Sequence, residues 1–204
     1  MIKGKFIVFE GIDGSGKSTQ AKILKEYLES KGEKCCLTLE PTYNRIGDFL
    51  HKILSGTEKA DPRVIAALFA ADRLEHILNA SDGIISHLEK GETVICDRYY
   101  LSSFAYQATE VPLEWVIELN SESRKALKPD VTIFVDTAPE NSLKRIETGR
   151  EGFEIYENLT RLTMVRDNYL SLVKRFESEE KILTIDGNRD VDSVFEDIKK
   201  ALDI

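Results

Sequence analysis

Eight residues, Gly11-Ile12-Asp13-Gly14-Ser15-Gly16-Lys17-Ser18, complete a G-x-x-x-x-G-K-[ST] pattern between an apolar run and a helix-period segment. Residues of these types at this spacing bind phosphate. The glycines let backbone N–H groups turn inward around phosphate oxygens, the helix start adds positive potential, Lys17 reaches the β- and γ-phosphates, and Ser18 ligates Mg²⁺. A Gly-rich turn whose lysine merely opens a helix is the bland alternative, and the strand-to-helix setting weighs against it. A second group, Asp97-Arg98-Tyr99, directly follows the apolar run Thr93-Val94-Ile95-Cys96. Open α/β sheets bind ligands outside the carboxyl ends of their strands, so Asp97 is a candidate for the Mg²⁺ shell and Arg98 for an acceptor phosphate. A surface ion pair is the competing reading for these two. Asp136 also closes an apolar run and competes with Asp97. No asparagine is followed by lysine, so the Asn-Lys-x-Asp guanine-reading motif of GTPases is missing.

The segments that must position these groups alternate along the chain. Phe6–Phe9, Cys35–Leu39, Thr93–Cys96, Val131–Val135 and Lys181–Ile185 are apolar runs of strand length. Helix-period segments lie at Lys17–Ser30, at about 62–79 and from Ser81 to near Gly91. Continuously apolar strands are buried on both faces, and helices between them are crossover connections. The expected fold is α/β, a doubly wound five-stranded parallel sheet flanked by helices. With 204 residues, no internal repeat and no linker, one domain over 1–204 is expected, with a short loop or lid from Glu147 to Glu154. A net charge of −8 argues against a general nucleic-acid or anionic-membrane binder, so phosphate must meet a local basic site. Cys35, Cys36 and Cys96 are odd in number and fit no zinc spacing, which suits a reducing compartment. The opening residues Met1 to Lys5 run into the first strand without a leader-like segment, and no stretch has the length of a membrane span, so a cytoplasmic protein is expected. His51, His76 and His87 read as packing or surface residues away from every motif. Trp115 reads as structural.

Longer stretches carry a resemblance. Phe9-Glu10-Gly11-Ile12-Asp13-Gly14-Ser15-Gly16-Lys17-Ser18-Thr19-Gln20, Leu68-Phe69-Ala70-Ala71-Asp72-Arg73 and Asp97-Arg98-Tyr99-Tyr100-Leu101-Ser102-Ser103-Phe104-Ala105-Tyr106-Gln107 together resemble the thymidylate kinases. Asp136-Thr137-Ala138-Pro139-Glu140, Arg145 and Tyr156-Glu157 extend the match past the lid. The resemblance implies transfer of the γ-phosphoryl group of ATP to thymidine 5′-monophosphate (dTMP), with Mg²⁺, by a homodimer packed through helices. It implies that Gly11 to Thr19 cradle the donor phosphates and that Arg145 packs against the donor adenine. Phe69 would stack on thymine and Arg73, one turn later, would donate to a base carbonyl, although periodicity alone makes Phe69 core and Arg73 solvated. Ser103 and Gln107, spaced i and i+4, would face the base edge. Tyr106 would lie against the sugar and disfavour a 2′-hydroxyl, and Asp13 would contact the sugar 3′-hydroxyl.

The chain departs from the family pattern in two places. One branch of the family carries an arginine where this chain has Gly14, so the transition-state cation is expected from the lid, with Arg150 the candidate. Around Arg45 the match is loose, and Arg45 is only a suggested phosphate ligand. Two other readings stay open: a deoxynucleoside or nucleotide kinase of the same build, and a nucleotide-dependent switch.

Overall fold

Strand β1 (Phe6–Glu10) is buried at every position because it lies at the centre of a parallel sheet covered on both faces. The computed structural model describes residues 4–149 and 159–204. The other strands are β2 (Cys35–Leu39), β3 (Thr93–Asp97), β4 (Val131–Asp136) and β5 (Ile182–Asp186), ordered β2-β3-β1-β4-β5 and all parallel. The helices are α1 (Lys17–Ser30), α2 (Arg45–Leu54), α3 (Pro62–Leu78), α4 (Ile84–Glu89), α5 (Tyr100–Gln107), α6 (Leu113–Leu119), α7 (Ser121–Ala126), α8 (Pro139–Gly149), α9 (Leu159–Phe176) and α10 (Val191–Leu202). The doubly wound five-stranded sheet anticipated from the apolar runs is therefore present. Among the described residues, no helix is long and apolar enough to cross a membrane.

Alternation along β1 divides the core. Phe6 and Val8 pack with Tyr99, Phe104, Phe134 and Tyr169 on one face, where α5 and α9 lie. Ile7 and Phe9 pack with Leu24, Leu28 and Ile198 on the other, beneath α1 and α10. Each fully buried side chain of this size contributes about 1.5–3 kcal/mol relative to exposure, which fixes the strand ends that carry the polar groups.

Two differences from the sequence reading bear on function. Helix α2 carries Leu50 and Ile53 inward onto Ile65 of α3, forming a small separate core beside the sheet. Helix α8 continues to Gly149, so residues 147–149 of the expected loop are helical. Arg150 and the rest of the expected lid to Glu154, and Tyr156 and Glu157 beyond it, lie outside the described residues.

Candidate active site

The phosphate loop joins β1 to α1 at the carboxyl edge of the sheet. Gly16 caps α1 without any side-chain hydrogen bond, which leaves the first-turn N–H groups to the loop interior. Lys17 is buried, and its ammonium donates to the Ile12 carbonyl at 3.4 Å, a long bond for a group with three donors. Burial, and then the nearby Arg98 charge, pull its pKa below the usual lysine value. Such a site strains a lone cation and suits an anion. Thr19 is exposed on α1 and lies outside the cleft lining, unlike Lys17 and Ser18.

Two glycines of the loop are required by close approach. A Cβ on Gly11 would stand 2.7 Å from the Val135 carbonyl oxygen. Gly14 has φ +73°, and a Cβ there would meet the Ser142 carbonyl oxygen of α8 at 2.4 Å. The packing of α8 against the loop thus excludes any side chain at Gly14, which accounts for the missing loop arginine. Gly14→Ala is expected to lower the melting temperature by roughly 5 °C or more through this clash and the left-handed φ. A thermal scan showing an unchanged transition would contradict the packing.

Ser18 Oγ hydrogen-bonds Asp97 Oδ2, which brings the two expected Mg²⁺ ligands together between the first turn of α1 and the end of β3. The other oxygen, Asp97 Oδ1, is buried and has no hydrogen-bond partner among the described residues. An unsatisfied buried carboxylate oxygen beside a serine hydroxyl is a hard-oxygen donor set that fits Mg²⁺. Asp136, the rival, is taken up instead by Arg166 of α9, with Nε at 2.7 Å and Nη2 at 3.0 Å.

Arg98 follows Asp97 with φ +73°, an unusual conformation for a side chain of this size. The turn is held by Glu10, whose carboxylate is fully buried and accepts from the backbone N–H groups of Tyr99 and Ser102 at 2.9 and 3.1 Å. The hydroxyls of Ser102 and Tyr169 donate to its other oxygen at 2.5 and 2.8 Å. Burial pushes the Glu10 pKa up, partly offset by these bonds. The Arg98 guanidinium donates to Asp13 and Ser102 and lies 4.8 Å from the Tyr106 ring centroid. Tyr106 donates to the second Asp13 oxygen at 2.9 Å. An acidic residue inside a phosphate loop therefore has its compensating cation on β3's carboxyl end.

From this polar end a cleft of about 330 Å³ runs past Asp13, Lys17, Ser18, Asp97 and Arg98 to a wall that includes Phe69, Arg73, Ser103, Tyr106 and Gln107. These five residues and Asp13, the six matched to the base and sugar by resemblance, thus share one cavity with the phosphate loop. Arg73 is 1% exposed, against the solvated position that periodicity suggests. It donates to Glu40 at 2.8 Å, Ser103 at 3.0 Å, the Tyr99 carbonyl at 3.1 Å, and Asn120. Ser103 therefore meets Arg73 first, while Gln107 keeps a buried amide oxygen that has no partner among the described residues. Arg145 of α8 donates to the Ser15 carbonyl at 3.2 Å and the Gly187 carbonyl at 2.9 Å, bridging the loop to the turn after β5. Arg45 is exposed and absent from the cleft lining.

The reading of the histidines needs correction. His76 is buried, takes Glu40 at 3.1 Å on Nδ1 and Thr38 at 2.8 Å on Nε2, and so stands directly behind the Arg73 ion pair. His51 stacks on Tyr43 with ring centroids 4.7 Å apart, and both line the cleft. Glu10, Glu40, Asn120 and Tyr169 were not singled out from the sequence. For the two glutamates a signal existed, since each ends or follows an apolar strand at the carboxyl edge, as Asp97 does.

Residues 9–198 match the thymidylate kinase family across nearly the whole chain. The chain belongs to the thymidylate kinase family. It is 41% identical to a probable thymidylate kinase of Staphylothermus marinus over 200 residues, covering 98% of this chain and 94% of that one. A thymidylate kinase of Caldicellulosiruptor saccharolyticus is 39% identical over 206 residues, covering 99% and 97%. One of Ligilactobacillus salivarius is 38% identical over 211 residues, covering 98% of each. The family makes this chain a nucleotide-binding kinase, a transferase that forms thymidine diphosphate from dTMP.

Proposed function

We propose that the chain transfers the γ-phosphoryl group of ATP to dTMP, with the donor phosphates on residues 11–19, the acceptor in the cleft and Mg²⁺ at Ser18 and Asp97. The observation that carries this reading is the single cleft joining Lys17 to Phe69 and Arg73, because a hydrolytic switch has no use for a second, base-sized pocket beside its phosphate loop. When bound, Mg²⁺ would supply charge neutralisation at the phosphates. Arg98 would hold the acceptor phosphate, Asp13 the sugar 3′-hydroxyl, and Tyr106 would crowd a ribose 2′-hydroxyl. Phe69 would stack on the base, and Arg73 with Gln107 would read its edge. Arg145, spanning the loop and the turn after β5, would pack against the donor adenine.

The charge on the transferring group needs a further cation. Gly14 has no room for one, and Arg150 is the proposed source, carried over the phosphates by the lid. A cytoplasmic homodimer belongs to the same proposal: Phe49 of α2 and Val64 and Leu78 of α3 are exposed apolar residues suited to helix packing, and sedimentation equilibrium tests it.

The reaction is tested by coupled ADP release with dTMP, dUMP, dCMP and thymidine as acceptors. Turnover is expected with dTMP above all. Preference for thymidine would move the chain to the nucleoside kinases, and acceptor-independent hydrolysis would make it a switch. The metal assignment has its own test. Asp97→Asn should raise the Mg²⁺ concentration for half-maximal rate or abolish turnover, whereas Asp136→Asn should mainly release Arg166 and leave the Mg²⁺ dependence alone. The opposite ordering would exchange the two aspartates.

A further inference from the structure

We propose that Asn120 is a positioning residue for base selection, acting on the acceptor base through the guanidinium of Arg73. The inference rests on the reading of the cleft as a dTMP site and adds a residue that no motif includes. Arg73 carries five N–H donors in a rigid plane. Nε is held by Glu40, one Nη2 hydrogen by the Tyr99 carbonyl, and the Nη1 pair by Ser103 and Asn120. Among the described residues, four of the five donors are therefore committed to protein, and a single Nη2 hydrogen remains for a ligand. A guanidinium with one donor to give reads one acceptor atom, so the orientation of its plane decides whether a carbonyl or an amino group is tolerated at that point.

Asn120 is the partner best fixed to set that plane. Its side chain is fully buried, and its Nδ2 donates to the Val116 carbonyl at 2.8 Å, which leaves Oδ1 to accept from Arg73. The residue sits where α6 gives way to α7, and its backbone N–H reaches the Val116 and Ile117 carbonyls at 3.3 and 3.2 Å. This break between two short helices turns the amide inward toward α3. Ser103, by contrast, lies on the cleft wall, where a ligand can compete for its hydroxyl. Burying an amide is costly unless every polar atom is paired, and at Asn120 both are paired, one to the scaffold and one to the base reader.

Two substitutions separate orientation from stability. Asn120→Leu keeps a similar volume and removes both bonds. Asn120→Asp keeps an acceptor for Arg73 but sets a carboxylate oxygen against the Val116 carbonyl, so it should lower the melting temperature. The measurements are steady-state kinetics with dTMP and dCMP on the full chain, together with thermal melting. Asn120→Leu is expected to raise the KM for dTMP and to cut the dTMP-over-dCMP preference, each by about tenfold, with the KM for ATP and the kcat at saturating dTMP within about twofold of wild type. Asn120→Asp is expected to keep the preference despite its lower melting temperature. Should Asn120→Leu fail to fold, Asn120→Ser, too short to reach Arg73, takes its place. A preference unchanged in Asn120→Leu, or one that falls in both variants in step with melting temperature, overturns the proposal. Arg73→Lys is the control on the underlying reading. If it too keeps the preference, Arg73 does not read the base at all; if it loses the preference while Asn120→Leu keeps it, Asn120 alone is rejected.

Discussion

Lys17→Ala should abolish nearly all turnover while leaving the protein without nucleotide at least as stable as wild type. The ammonium is buried, its pKa is pulled down first by burial, and its bond to the Ile12 carbonyl is long. Without phosphate it is a cost, and in the proposed donor site it would neutralise charge on the transferring group. Loss of that neutralisation should lower kcat about 10³-fold or more, about 4 kcal/mol of barrier. The stability sign follows from linkage. A lysine whose folded pKa lies below 10.5 disfavours the folded state most below that lowered value, and the penalty fades as pH rises through it. The variant's advantage in melting temperature should therefore shrink in alkaline buffer. Its melting temperature should also lose most of the rise that ATP gives the wild type. Retention of a tenth of wild-type kcat would remove Lys17 from the donor site.

Arg98→Ala carries the second large effect, and its cost has two sources. It removes the forked cation proposed for the acceptor phosphate, and it takes the guanidinium away from the Asp13 carboxylate, which keeps its bond from Tyr106. Breaking a mostly buried pair by removing one member typically costs about 3–5 kcal/mol of stability, and loss of the cation proposed for the acceptor phosphate should lower kcat/KM for dTMP roughly 10²–10³-fold or more. Arg98→Lys should recover only part of this, because an ammonium lacks the fork. Arg98→Gly should be equally inactive yet regain backbone stability, since glycine accepts the left-handed φ of +73° at little cost. An Arg98→Ala enzyme with wild-type KM for dTMP would show that the acceptor phosphate lies elsewhere.

What could be read from the chain was what lies contiguous in it. The phosphate loop is eight successive residues, and the three inner strands announce themselves because burial on both faces makes them apolar almost throughout. Asp97 and Arg98 were legible as polar residues where such a run ends. The support behind them was not. Glu10 meets Tyr169 across 159 positions, and Arg73 meets Glu40 and Asn120 across 33 and 47. No period or motif marks residues that come together only when separate helices pack on the sheet. Arg73 was misplaced by periodicity for the same reason, because its position on α3 looks solvated until Glu40 and Asn120 are known to close over it.

The saturation of Arg73 also restricts how this cleft can change through descent. A lineage that replaces Arg73 alone leaves Glu40 as a buried carboxylate against His76 and leaves Asn120 with an open acceptor. Each buried group so orphaned costs about 1–3 kcal/mol, more for a charge, against a total stability of about 5–15 kcal/mol. Single steps there carry a stability cost before any new acceptor preference can be selected. Phe69 and Gln107 face the same cavity outside this knot, so under the proposed reading inherited variation in acceptor preference would be channelled through them, and a new residue at position 73 would have to arrive together with a change at Glu40.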